Sequence, residues 1–189
     1  MEAPSLAPVK KNAKKQGRVI VFVDESGLSE KPTRVRTWAP KGQTPVIQYS
    51  FNWKQLSVIA GVSWWQIYFR LFPGTIRGPE CVDFLKSLQR QIGRKLLIIW
   101  DGLKVHKSRH VHQYLEELEG KIQVAYLPAY SPQLNPVEYL FGHLKPHELG
   151  NFCPDSFWQL SDYARRRLRS MQRRPTLVRA FWKQAELPL

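Results

Sequence analysis

The chain has 189 residues, 43% of them apolar and 12% aromatic, which is enough for one domain with a real core and too apolar for a disordered chain. A net charge of +14 and a pI near 10.0 point to a polyanionic partner, most often nucleic acid, although a ribosome-like or membrane-surface protein carries the same balance. The two cysteines, Cys81 and Cys153, form no CxxC pair, which argues against a disulfide framework and for a reducing cytoplasm. No apolar run is long enough to cross a bilayer, and no hydrophobic segment follows the N-terminal lysines to make a secretory signal.

Residues 1–18 are rich in Pro, Ala and Lys without periodicity. They read as a flexible basic arm whose Lys14 and Lys15 either contact phosphate or belong to an unstructured leader. Residues 19–189 read as one domain. Val19–Val23 is a β-branched run of the kind buried on both faces of a sheet, and Asp24-Glu25-Ser26-Gly27 ends it with turn chemistry. Val35–Ala39 and Thr44–Tyr49, around Pro40-Lys41-Gly42-Gln43, predict a hairpin; Gln55–Val62 and Gln66–Phe72 predict two more strands. From Pro79 to Arg94 the period changes, with Val82, Leu85, Leu88 and Ile92 on one helix face. Lys95–Trp100 is the next strand. Ser108 is placed to cap a helix to about Glu119, and Gly120 to end it. Ile122–Leu127 is another strand, and Asn135 with Pro136 opens a helix. Asp155–Arg174 is a long helix with Leu160, Ala164, Leu168 and Met171 as its apolar stripe. A last helix spans Thr176–Leu187, with Leu177, Ala180 and Phe181 (or Trp182) inward. Antiparallel strands followed by alternating strand and helix imply a mixed α/β sheet with a right-handed crossover.

Three carboxylates stand out. Asp24 and Asp101 each follow an apolar strand, at the carboxyl ends where open α/β sheets build their sites. Glu138 lies in the first turn of the Asn135-capped helix. Three acids converging in a basic protein repel one another unless a cation compensates them. Mg²⁺ takes oxygen ligands of this kind, and two such ions about 4 Å apart can drive phosphodiester displacement. Each acid also has a plainer reading. Asn135-Pro136-Val137-Glu138 fits a capping box, and Asp24 and Asp101-Gly102 fit turns.

Four blocks in order carry a resemblance: Phe22-Val23-Asp24-Glu25-Ser26-Gly27; Trp38-Ala39-Pro40-Lys41-Gly42-Gln43-Thr44-Pro45; Trp100-Asp101-Gly102 with His106; and Leu127-Pro128-Ala129-Tyr130-Ser131-Pro132-Gln133-Leu134-Asn135-Pro136-Val137-Glu138. Together they resemble the catalytic domain of DDE transposases, in the bacterial insertion-sequence six-thirty branch of the mariner-like superfamily, from about Arg18 to Leu187. The last block is the specific one. The resemblance implies a ribonuclease-H-like sheet with three antiparallel strands and then two parallel ones. It implies that Asp24, Asp101 and Glu138 are catalytic and hold two Mg²⁺ (or Mn²⁺) ions, with Glu25, His106 and Asn135 in support. It implies cutting of DNA at transposon ends and joining of the freed 3′-hydroxyl to a target, typically at TA, by a protein of the bacterial cytoplasm and nucleoid. Family members usually have Pro at the place of Ala129, often Asn at Gly102 and often Trp at Phe141; no acid is lost. Complete members carry helix-turn-helix modules ahead of this domain, and about 18 residues are too few for one. The chain is therefore expected to work with a separate N-terminal segment, as a homodimer, or as a non-catalytic remnant that binds DNA or a partner transposase.

Other residues divide between function and packing. His106 either orients a ligand or is a surface imidazole. His143, His147 and Cys153 make a poor zinc set, because Pro146 breaks the helical face and no fourth ligand is apparent. Arg165, Arg166, Arg167, Arg169, Arg173 and Arg174 have few neutralising acids, so DNA contact, with Arg165, Arg166, Arg169 and Arg173 foremost, is preferred to a solvated face. Trp53, Trp64, Trp65 and Trp158 suit base stacking, although core packing is the commoner fate of tryptophan.

Overall fold

The computed structural model describes residues 6–49, 54–128 and 131–187. Its centre is a five-stranded sheet in the order β3-β2-β1-β4-β5. The strands are β1 (Val19–Leu28), β2 (Leu56–Val62), β3 (Ile67–Pro73), β4 (Leu96–Trp100) and β5 (Ile122–Tyr126). The first three are antiparallel, and β4 and β5 run parallel to β1. Three antiparallel strands followed by two parallel ones is the ribonuclease-H-like arrangement that the resemblance implies.

Burial explains the arrangement. All five side chains of β4 and all seven of β2 are buried, so neither can sit at a sheet edge. The helix α2 (Gly78–Ile92) crosses from β3 to β4 and stops at Gly93, which takes the left-handed conformation (φ 65°) that glycine adopts without steric cost. The helix α3 (Arg109–Glu117) joins α2 on one face, where Val21, Val23, Phe84, Leu88, Ile98, Trp100 and Val111 form one core. On the other face α4 (Pro136–His143), α5 (Phe157–Gln172) and α6 (Pro175–Gln184) close a second core with Phe22, Leu97, Ile99, Leu140, Leu168 and Trp182. Each large side chain so buried contributes about 1.5–3 kcal/mol of transfer free energy.

Three expectations are corrected. The arm read as flexible carries a helix, α1 (Leu6–Lys15), whose Ala13 is buried against the second core; a small residue among lysines gives no periodic signal. The predicted hairpin between Val35 and Tyr49 is not a ladder. Pro40 and Gln43 close a turn, but Trp38 and Val46 are 100% and 79% exposed, so the apolar runs find no sheet to bury against. What holds this segment is Asn151, which accepts from Val35 N and donates to Val35 O, both at 3.0 Å. The last helix buries Phe181 and Trp182 and packs Leu177 partly against the second core, as expected, but it buries Val178 in place of Ala180, which is exposed. No helix among the described residues is long and apolar enough to cross a membrane.

Candidate active site

The alternation of the strands determines which acids meet. On β1, Ile20 and Phe22 face the second core while Val19, Val21 and Val23 face the first, so Asp24 continues the Ile20–Phe22 side. On β4, Leu97 and Ile99 face the second core, so Asp101, just past the strand, continues that side. The parallel register pairs Phe22 with Ile99, and each aspartate lies two residues further on. The two carboxylates therefore stand side by side on one face, at the carboxyl ends of neighbouring strands. The helix α4 packs Val137, Leu140 and Phe141 onto the same face, which directs its first turn and Glu138 toward them. Asp24, Asp101, Asn135 and Glu138, with Leu103, Leu127, Ser131 and Pro132, line an open cleft of about 370 Å³.

Asn135 joins fold to site. It is 2% exposed; its Oδ1 accepts from Val137 N at 3.1 Å, capping α4, and its Nδ2 donates to Asp24 Oδ2 at 3.0 Å. The reciprocal bond of a capping box is not formed, so Glu138 is left facing the aspartates rather than tied to the helix end. Asp24 Oδ1 accepts from Glu25 N at 2.8 Å. Burial, then the charges of Glu138, Glu25 and Asp101, push the Asp24 carboxyl up to about 7 against the pull of that backbone bond.

The opposite sheet face holds the supporting groups. Glu25 alternates away from Asp24, and its Oε1 accepts from the Trp100 indole Nε1 at 3.1 Å. Its Oε2 lies 2.9 Å from His106 Nε2. The other ring nitrogen of His106, Nδ1, is 2.6 Å from Asp101 Oδ1, and the ring stacks on Trp100 with centroids 3.9 Å apart. Burial alone would lower the His106 pKa; the bonds to Asp101 and Glu25 outweigh it and hold the ring up at about 9. Burial would likewise raise Asp101, but His106 and the Leu103 N–H, at 3.1 Å, bring it below its ordinary value. His106 is thus a buried imidazolium between two carboxylates, and the surface alternative for this residue is set aside.

The basic residues separate into two groups. Arg165, Arg166 and Arg169 are exposed on the outer side of α5 and Arg173 is exposed at its C-cap, with Arg166 paired to Asp162 at 3.1 Å. Arg167 and Arg174 instead grip Glu148, whose side chain is 3% exposed, beside His143 at 3.4 Å. These two arginines serve the fold, and only a buried acid 26 residues away distinguishes Arg174 from its neighbours, which sequence reading could not see. Lys14 and Lys15 lie exposed in the last turn of α1. Trp64, Trp65 and Trp158 are exposed rather than packed in the core; Trp53, Ala129 and Tyr130 fall outside the described residues. The bond from Trp100 to Glu25 had no signal beyond the adjacency of Trp100 and Asp101.

Residues 19–156 match the family described as DDE superfamily endonuclease. Over 81 residues the chain is 36% identical to an uncharacterized 39 kDa protein of insertion element IS630 from Shigella sonnei, a stretch that is 42% of this chain and 23% of that protein. The fold is similar to the mariner Mos1 paired end complex with Mg, at TM-score 0.67 and 21% identity, over 96% of this chain and 55% of that one. It is also similar to the catalytic domain of Mos1 mariner transposase, at TM-score 0.63 and 19% identity, over 95% and 83%. The chain thus spans about half the length of the Mos1 chain in the paired end complex.

Proposed function

We propose a function from one premise: the chain belongs to the DDE superfamily of endonucleases. It is the catalytic domain of a DDE transposase, which cuts DNA by phosphodiester hydrolysis and joins the freed 3′-hydroxyl to target DNA by transesterification. The observation that carries this reading is the convergence of Asp24, Asp101 and Glu138 on one cleft.

The donor set fits a hard divalent cation. All three groups offer carboxylate oxygens, and the Asp24 carboxyl, raised first by burial and then by the neighbouring acids, is a group whose ionised form bound positive charge would favour. Asp24, Asp101 and Glu138 would hold Mg²⁺ (or Mn²⁺), two ions in all. Such ions, when bound, supply Lewis-acid activation of the attacking oxygen and stabilise the leaving one. The chain's own residues prepare the site. Asn135 fixes the Asp24 carboxylate against rotation and sets the start of α4. The buried His106 imidazolium keeps Asp101 ionised and oriented, and Glu25 with Trp100 keeps His106 in place. Asp24 must surrender its proton before it can act as a ligand near neutral pH.

The DNA is gripped by Arg165, Arg166, Arg169 and Arg173, with Lys14 and Lys15, through phosphate contacts that weaken with salt. The substrates are transposon ends and a TA target. The chain pairs them as a homodimer or with a helix-turn-helix segment on another chain, at the nucleoid in the bacterial cytoplasm. Incubation of the purified chain with supercoiled plasmid tests this. Nicking with Mg²⁺ or Mn²⁺, absent in EDTA and abolished in Asp101→Asn, is the expected result. Undiminished nicking by Asp101→Asn removes Asp101 from the site.

A further inference from the structure

The rim of the sheet opposite the carboxylates carries a second feature. The chain between β2 and β3 turns at Ser63–Gln66, closed by Ser63 N donating to Gln66 O at 2.9 Å and Gln66 N donating to Ser63 Oγ at 3.1 Å. The two residues at its tip are Trp64 and Trp65, 47% and 38% exposed, with ring centroids 5.3 Å apart and planes at 75°. Turn tips usually carry small polar residues; here two indoles stand at the tip, Trp65 hydrogen-bonded to the Tyr68 side chain and each ring still offering an exposed part of its face.

These rings border a cleft of about 670 Å³, whose other walls are α1, the start of β1, Arg94 and Trp182. Lys10, Lys11, Lys14 and Arg94 line it together with the tryptophans, and no aspartate or glutamate does among the described residues. Among the described residues none of the three lysines has an ion-pair partner there. Arg18, also at the cleft, donates to the carbonyls of Leu96 and Lys121, and Arg94 donates to the carbonyl of Gly17 at 3.3 Å, so the lysines are the less committed charges and Arg94 adds a cation held in place at the rim. Lys10 sits 5.7 Å from the centroid of the Phe22 ring, and burial lowers its pKa. Cations without acids beside exposed, closely held aromatic faces are the pairing that binds unpaired nucleic acid, phosphates on the charges and bases on the rings. Duplex DNA satisfies only the first half, because its bases are stacked on each other.

We propose that this groove binds single-stranded DNA, with bases stacked on Trp64 and Trp65 and phosphates on Lys10, Lys11, Lys14 and Arg94. It lies on the same side of the sheet as the carboxylates, five residues of β1 or roughly 17 Å from Asp24. It is therefore placed to hold a strand separated from the duplex being cut. The proposal rests on the reading of the chain as DNA-acting, but not on its metal site.

The test is fluorescence anisotropy of the full chain with labelled fifteen-nucleotide oligo-dT, and with a duplex of equal length, in EDTA. The double variant Trp64→Ala/Trp65→Ala is expected to bind oligo-dT about ten- to hundredfold more weakly and the duplex within about twofold of wild type. Trp64→Phe/Trp65→Phe, which keeps aromatic faces, restores most of the affinity; it also decides the matter should the alanine pair lower the melting temperature. Lys11→Glu/Arg94→Glu flattens the salt dependence for oligo-dT by about one to two phosphate contacts. Unchanged oligo-dT binding in the alanine pair, an equal loss for both DNAs, or no rescue by phenylalanine overturns the proposal. Plasmid nicking separates the two claims: loss of nicking with the groove intact sinks the catalytic reading alone, and the reverse sinks the groove alone.

Discussion

Asn135 is the residue where stability and site chemistry can be separated by pH. Replacing it with alanine removes the cap on Val137 N, 3.1 Å away, worth about 1 kcal/mol. It also removes the donor to Asp24 Oδ2 at 3.0 Å, worth about 1.5–3 kcal/mol when the acceptor is charged and about 1 kcal/mol when it is neutral. With Asp24 titrating near 7, Asn135→Ala should cost about 2–4 kcal/mol at pH 8 and about 2 kcal/mol at pH 5. For a chain of this length about 1 kcal/mol is 2–4 °C in melting temperature, so the pH 8 loss is roughly 5–15 °C. Asn135→Asp keeps the cap acceptor but sets a fourth acid against Asp24; it should melt below wild type at pH 8 and regain more than wild type does on adding Mg²⁺. The assay is thermal unfolding by circular dichroism in EDTA and in Mg²⁺. A loss for Asn135→Ala under 0.5 kcal/mol, or one larger at pH 5 than at pH 8, would refute the double role.

Other perturbations act on the same cluster. His106→Phe keeps the stack on Trp100 but removes both polar contacts. Wild-type His106 has a folded pKa of about 9 against an ordinary 6.5, so its stabilisation is complete below pH 6.5 and is lost as pH rises through 9; chemical denaturation across that window should show the decline in wild type and not in the variant. Asp24 has the opposite sense of charge: its raised pKa means that ionisation costs stability as pH rises from 3.8 through 7. Calorimetry of Mg²⁺ binding in buffers of different ionisation enthalpy should therefore find a proton released at pH 6 and almost none at pH 8; equal release at both would contradict the shift. Glu148→Gln leaves Arg167 and Arg174 without their buried acid. Because the arginines are 39% and 40% exposed, the cost is reduced by solvent to about 1–3 kcal/mol, read as a fall in melting temperature with metal-dependent nicking retained.

Much of the sheet was legible because its strands are buried on both faces and so read as unbroken apolar runs: Val19–Val23 and Leu96–Trp100 needed no partner to be recognised. Asn135-Pro136 announced a helix start through local chemistry, and the stripe Leu160, Ala164, Leu168, Met171 is wholly buried as its period implied. What composition and spacing could not supply was adjacency. That β1 and β4 are neighbours came from the family resemblance, and only with the register known does strand alternation put Asp24 and Asp101 on one face and Glu25 on the other. The failures share a cause. Val35–Tyr49 has strand composition, but a strand exists only where another offers its edge. Arg167 looks like Arg166 until a buried Glu148 on another element claims it. The α1 helix buries Ala13, a small residue among lysines that prints no pattern.

The measurement that bears most directly on the central claim is Mn²⁺ titration of the purified chain followed by electron paramagnetic resonance, beside Glu138→Gln and Asp24→Asn. A site built by three converging carboxylates takes up Mn²⁺ in the wild type and loses most of that uptake in either variant, while both remain folded by circular dichroism. Equal uptake by all three proteins would mean that the cleft where these acids meet is not a metal site.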